Sequence, residues 1–145
     1  MVDHEDVIRE LLEGNDRYRT SMSQSLGNGR DLSISVFHDA RGDDDYFAPD
    51  RSLGCGDLDG TGLVIDADGA DRYRFQTKVN GGHASFGLAD PGPLREKLAT
   101  VGIFLDLGAD LDDYGRKELS NGARWTSGGR FEGMKAIGID DGSRP

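Results

Sequence analysis

One phrase is written repeatedly along this chain, and it constrains the fold more than any other feature. An apolar run is followed by D-x-x-G-x-D-x-Y. Ile34-Ser35-Val36-Phe37-His38-Asp39 leads into Gly42, Asp44 and Tyr46; 27 residues later Leu63-Val64-Ile65-Asp66 leads into Gly69, Asp71 and Tyr73. Ile103-Phe104-Leu105-Asp106 opens a third copy, with Gly108, Asp110 and Tyr114. Ile137-Gly138-Ile139-Asp140-Asp141-Gly142 begins a fourth, cut short as it would be in a fragment of a longer array. Self-similarity at such a period marks a supersecondary unit that buries its face against its neighbours. The interval from Asp66 to Asp106 is 40 residues, and the excess has a home in Asp90–Thr100. Its Asp-Pro-Gly-Pro-Leu-Arg-Glu-Lys-Leu pattern predicts a short helix dropped between two copies.

Each position has a physical reading. The β-branched and aromatic run predicts a short buried strand. The first Asp can accept backbone N–H groups one or two residues on, the Gly supplies a left-handed turn position, and the Tyr opens the next strand. The expectation is therefore an all-β domain over residues 32–145, built as a short repeat β-solenoid. An antiparallel meander or sandwich of hairpins is the alternative. The two differ in one respect: a solenoid stacks Asp39, Asp66 and Asp106 in a ladder, whereas a meander places them at one end of a sheet.

Residues 1–22 read differently. Asp3 to about Gly14 predicts a helix with an acidic first turn and Val7, Ile8, Leu11 and Leu12 on one face, extensible to Tyr18 and Met22, which would cap one end of the β array. Ser21–Asp31 reads as a linker, and Ala48–Gly62 as a Pro-, Gly- and Asp-rich loop with little to bury. Further strands are expected at Tyr73–Val79, Ala84–Ala89, Val101–Asp106, Ala123–Thr126 and Met134–Asp140.

Composition supports turns rather than helices. There are 22 Gly in 145 residues, about double the usual ~7% share. The net charge is −10, carried by 21 Asp against only 6 Glu, with 4 Lys against 13 Arg. The balance argues against nucleic acid or an anionic membrane as partner. Cys55 is alone, which excludes an intrachain disulfide and fits a reducing compartment. With no secretory signal pattern in residues 1–6 and no long apolar run, the expectation is a cytoplasmic protein.

The spaced motif of apolar run, D-x-x-G-x-D-x-Y, Gly-rich spacer and Gln resembles a class of bacterial repeat proteins whose function is uncharacterised. The resemblance rests on Asp39, Gly42, Asp44 and Tyr46, on Asp66, Gly69, Asp71, Tyr73 and Gln76, and on Asp106, Gly108 and Asp110. It implies architecture and brings no activity with it.

Two chemistries suit the acidic turns. Calcium takes carboxylate and carbonyl oxygens, and Asp66, Asp68 and Asp71 stand at i, i+2 and i+5. Asp43, Asp44 and Asp45 offer a second cluster; Asp110, Asp112 and Asp113 offer a third. The candidate calcium ligands are thus Asp39, Asp44, Asp66, Asp68, Asp71, Asp106 and Asp110. Asp57-Leu58-Asp59-Gly60 resembles the start of an EF-hand loop, but lacks the closing Glu. The competing chemistry is a small acidic hydrolase dividing acid and base roles between Asp66 and Asp71, or using His38 beside Asp39. The recurrence of these Asp residues with the repeat favours a structural role, and hence a non-catalytic binding or scaffolding module. His4, His38 and His83 lack metal spacing. Tyr46, Tyr73, Phe75, Tyr114 and Trp125 form either core or an aromatic face for a protein or carbohydrate ligand.

Overall fold

The computed structural model describes residues 14–78, 80–85, 92–95, 97–116, 119–126 and 134–142. The helix and cap expected over residues 3–13 lie outside these residues. The regular structure of the described residues is almost all strand, with one short helix. In order it runs β1 (Arg17–Arg19), β2 (Gly29–Arg30), β3 (Ile34–Asp39), β4 (Asp45–Ala48), β5 (Gly56–Asp57), β6 (Thr61–Asp66), β7 (Arg72–Phe75), β8 (Ala84–Ser85), helix α1 (Gly92–Arg95), β9 (Thr100–Asp106), β10 (Arg124–Thr126) and β11 (Met134–Asp140).

These strands form three sheets, ordered β1-β4-β7, β2-β5-β8 and β10-β11-β9-β6-β3. Every pairing between successive copies is parallel; only β10 joins its neighbour antiparallel. The antiparallel meander is therefore corrected. Its hairpins require strands that double back, whereas here β3 pairs with β6 and β6 with β9, each after a long excursion through the other two sheets. The register aligns Asp39 with Asp66, Asp66 with Asp106, and Asp106 with Asp140.

Alternation along the strands builds the interior. In β6, Gly62, Val64 and Asp66 are buried while Thr61, Leu63 and Ile65 face outward. The core is Tyr46, Ala48, Leu53, Val64, Tyr73, Phe104 and Tyr114, with Tyr18, Leu26, Phe37, Phe75, Leu119 and Trp125 packed around it. In the row Phe37–Val64–Phe104–Gly138 the last position has no side chain, and the Trp125 ring lies over Gly138 instead.

Several expectations need correction. Tyr18 belongs to strand β1, paired with Tyr46, and does not prolong a helix. Ser21–Asp31 contains β2 and is part of the stack. Ala48–Gly62 buries a great deal, since residues 52 to 60 are all buried, Leu53 and Cys55 completely. That stretch turns through double left-handed corners. Leu53 and Gly54 have φ of 50° and 74°, matching Leu26 and Gly27 at 50° and 76° one copy earlier. Leu58 and Asp59, at 47° and 64°, match Asp31 and Leu32 at 53° and 64°. Beyond the third corner, at Gly81 and Gly82, the predicted helix appears as α1. Its Arg95 reaches back to Asp31 (3.0 Å) and Asp59 (3.1 Å) on the two earlier corners.

Candidate functional site

The motif residues converge where the β3-β6-β9-β11 strands end and the chain turns toward the β1-β4-β7 sheet. All four tyrosines of the chain stack here. Tyr18 to Tyr46, Tyr46 to Tyr73 and Tyr73 to Tyr114 have ring centroids 5.0, 4.9 and 5.0 Å apart, with interplanar angles of 15°, 8° and 12°. Parallel in-register strands place equivalent side chains one strand spacing apart, and that spacing suits aromatic stacking.

The hydroxyls of this stack donate to a parallel row of carboxylates. Tyr18 donates to Asp39 and Tyr73 to Asp66 (2.9 Å), while the Tyr114 hydroxyl lies between Asp106 (2.8 Å) and Asp140 (2.6 Å), its single proton serving one carboxyl and its oxygen accepting from the other when that carboxyl is protonated. A second row uses the backbone. The Asp16 N–H donates to Asp44 Oδ1 (2.6 Å), Asp44 N–H to Asp71 Oδ1 (2.7 Å), and Asp71 N–H to Asp112 Oδ1 (2.7 Å). Asn121 Oδ1 receives the Asp112 N–H at 2.7 Å and closes the series. Each copy thus satisfies a backbone donor of the one before it.

The two rows crowd acids together. Asp39, Asp44, Asp66, Asp71, Asp106 and Asp140 are all buried. One carboxylate oxygen from each of Asp16, Asp39 and Asp44 lies within 4.8 Å of the others; the same holds for Asp44, Asp66 and Asp71, and for Asp71, Asp106 and Asp112. Burial pushes the Asp71 carboxyl up to about 9, with the Asp66 charge adding to it. Burial and the Asp112 charge push Asp106 up to about 8. Asp44 is raised to about 7 and Asp112 to about 6, burial being the chief cause in both. Asp66 is also raised by burial. Three buried oxygens in this cluster, Asp66 Oδ1, Asp71 Oδ2 and Asp112 Oδ2, accept no hydrogen bond. A groove of about 630 Å³ runs along its outer side, lined by Asp16, Asp43, Asp44, Asp71 and Asp113 among others.

Of the predicted ligands, Asp39, Asp44, Asp66, Asp71 and Asp106 come together, whereas Asp68 and Asp110 are exposed and belong to no triad. Asp110 was expected at the position that Asp112 fills. The third copy carries one residue fewer before its Gly and more after it, so only counting back from Tyr114 finds the structural equivalent of Asp71. Asp16 was missed, yet Gly14-x-Asp16-x-Tyr18 spells the end of the motif 28 residues before Gly42-x-Asp44-x-Tyr46. His38 points outward and Asp39 inward, so the two make no dyad. Cys55 is buried, which pushes its thiol up to about 12 and leaves it unreactive.

The tyrosine row can be probed without disturbing its neighbours' backbone. Tyr73→Phe keeps the stack but removes one hydroxyl donor of the buried Asp66, and is expected to cost about 1–3 kcal/mol. Tyr73→Ala also removes the ring and is expected to cost about 3–5 kcal/mol. Urea unfolding of both variants separates the two contributions; a Tyr73→Phe variant as stable as the parent would show that the hydroxyl–carboxyl bond contributes nothing.

Among known proteins the chain matches no family model, no curated protein and no solved structure.

Proposed function

We propose that the chain is a short β-solenoid serving as a non-catalytic binding or scaffolding module, with calcium as a structural ligand of its acid rows. One observation carries this reading: the recurring Asp and Tyr side chains are spent on one another and on the backbone of the adjacent copy. That is the work of a structural spine. No helix among the described residues is long and apolar enough to cross a membrane, and a reducing cytoplasm would suit the buried, free Cys55.

The residues present fit calcium in their chemistry. All donors are hard carboxylate oxygens, and the unpartnered Asp66 Oδ1 and Asp71 Oδ2 belong to the same triad as Asp44. Asp71, Asp106 and Asp112 form the second such group, again with unpartnered oxygens on Asp71 and Asp112. A cation there would neutralise charges that burial otherwise disfavours. The hydrolase alternative has less support, because Asp66 is wholly enclosed and a substrate bond would have to reach it.

Thermal unfolding near pH 7.5 in EDTA, in millimolar calcium and in millimolar magnesium tests the reading. Binding to the native state is expected to raise stability by roughly 2.7 kcal/mol at a hundred times the dissociation constant. Asp66→Asn is expected to remove most of that rise with the far-UV circular dichroism unchanged. Equal midpoints in all three solutions would leave the spine neutralised by protons alone and would sink the calcium assignment.

A further inference from the structure

One surface of the molecule carries chemistry that the acid rows do not use. On the five-stranded sheet, the residues that alternate with the core point outward, and parallel register sets them in rows across the strands. The middle row is Val36, Leu63, Ile103 and Ile137. With the rows on either side, nine of the twelve outward positions on β3, β6, β9 and β11 are Val, Leu or Ile; the other three are Thr61, His38 and Lys135. All twelve lie among the described residues, and none belongs to a carboxylate triad. Ile34 is 77% exposed and Val36 59%, and Leu63, Ile103 and Ile137 are half-buried rather than enclosed.

The make-up of this face selects its partner. Charged residues are 30% of the chain, yet the twelve positions include one Lys and no acid. Val, Leu and Ile without an aromatic ring make the inner face of a β-sandwich, in which two sheets pack ~10 Å apart with strands nearly aligned. A bilayer is a poorer match. The face has no Trp or Tyr to sit at headgroup level, and an anionic leaflet repels a chain of net charge −10. Four strands at ~4.8 Å spacing, each six residues long at ~3.3 Å rise, make a face of roughly 400 Å², already large for a monomer to leave open. β10 widens it, with Arg124 and Thr126 on the same side. Two such faces together bury roughly 1,000 Å², the size at which specific interfaces begin.

We infer that the outward face of the β3-β6-β9-β11 sheet is a self-association surface, on which a second copy of the chain packs its own equivalent face about a two-fold axis. Such a contact uses the face up, so assembly stops at two copies. Leu63 and Ile103, the inner pair of the middle row, fall at the centre, and Lys135 and Arg124 stay in water at the rim. The pairing goes beyond the calcium reading, because the acid rows take no part in it, and it gives scaffolding a physical form. The two copies repel one another through their net charge, a repulsion that salt screens, so association strengthens with ionic strength.

Sedimentation velocity of the intact chain in EDTA, from about 1 to about 500 μM, tests the surface apart from calcium. The mass is expected to rise from one copy to two, with a midpoint in the micromolar range that suits an interface of this size. Raising the salt from about 50 to about 500 mM is expected to move that midpoint to lower concentration. Ile103→Lys puts two unpaired ammonium groups into the joint and is expected to weaken pairing about a hundredfold. Val36→Lys, nearer the edge, is expected to weaken it about tenfold. In the single chain either Lys can reach water, so the far-UV circular dichroism stays that of the parent. A chain that stays monomeric throughout, leaving the face to some other partner, overturns the inference. So does a mass that grows past two copies, as edge-to-edge stacking of strands would give, or pairing that weakens in salt. A folded Ile103→Lys chain that pairs as the parent does overturns it as well. Should Ile103→Lys fold poorly, Val36→Lys carries the same test, its position being 59% exposed in the single chain. Because the calcium and EDTA midpoints are measured separately, a monomeric chain with a normal calcium response rejects this surface alone.

Discussion

In EDTA the chain is expected to become less stable as the pH is raised from about 4 to about 9, the reverse of ordinary acid denaturation. An unfolded Asp ionises near ~3.9. In the folded chain burial, reinforced by neighbouring carboxylates, holds Asp44 near 7, Asp106 near 8 and Asp71 near 9. Between the unfolded and folded values the native state binds more protons than the unfolded one, and stability must then fall with rising pH. The contribution is whole below pH ~4, where both states are protonated, and is lost as the pH climbs through the folded values. Each such group costs up to about 1.4 kcal/mol per pH unit in that window. Two or three groups acting together therefore remove several kcal/mol, a large share of a typical ~5–15 kcal/mol. Melting followed by circular dichroism from pH 4 to 9 should show a midpoint falling by about 10 °C or more, at roughly 2–8 °C per kcal/mol. Calcium should oppose the fall, and increasingly so above pH 7, since ligand carboxylates must lose their protons to bind it. A midpoint in EDTA that rises steadily from pH 4 to 8 would mean that these carboxylates are ionised and well solvated in the native chain.

The spine was legible because its chemistry and its period coincide. Asp39, Asp66 and Asp106 follow apolar runs of matching length, and parallel pairing aligns them. Asp16 was hidden because Val7 to Tyr18 also carries a helical spacing, and Tyr18 fits either pattern until its stacking on Tyr46 is known. Asp112 was hidden by a change of spacing inside the third copy. The burial of residues 52 to 60 left a thin hydrophobic signal, Leu53, Cys55 and Leu58 scattered among Gly and Asp with no strand alternation. A narrow interior is filled by small residues and by backbone, so Gly54, Cys55 and Gly56 read as a loop although they form an inner wall. Nor does a residue type advertise the left-handed Leu53 and Leu58, which only the repeated corner explains.

That narrowness makes two core-facing glycines the most sensitive positions in the sheet. Gly62 on β6 and Gly102 on β9 are register partners, and the β2-β5-β8 side of the chain passes directly against them. A Cβ on Gly62 would stand 2.5 Å from the Gly27 carbonyl oxygen and closer still to that of Cys55; one on Gly102 would meet the carbonyl of His83. These neighbours are backbone, fixed by the hydrogen bonds from Gly29 N to Cys55 O (3.1 Å) and from Gly56 N to His83 O (2.9 Å). Neither can turn aside as a flexible side chain does. Relief requires prising two sheets apart, so Gly62→Ala and Gly102→Ala are each expected to cost about 3 kcal/mol or more, at or beyond the usual limit for overpacking. Gly122→Ala is the control: its added methyl meets nothing within 4 Å, and its φ of 72° is the only obstacle. That strain is expected to cost about 1–2 kcal/mol. Urea unfolding of the three variants checks the ranking. Equal losses at all three positions would show that backbone conformation alone sets the cost of replacing these glycines, and that the two sheets yield to the added methyl.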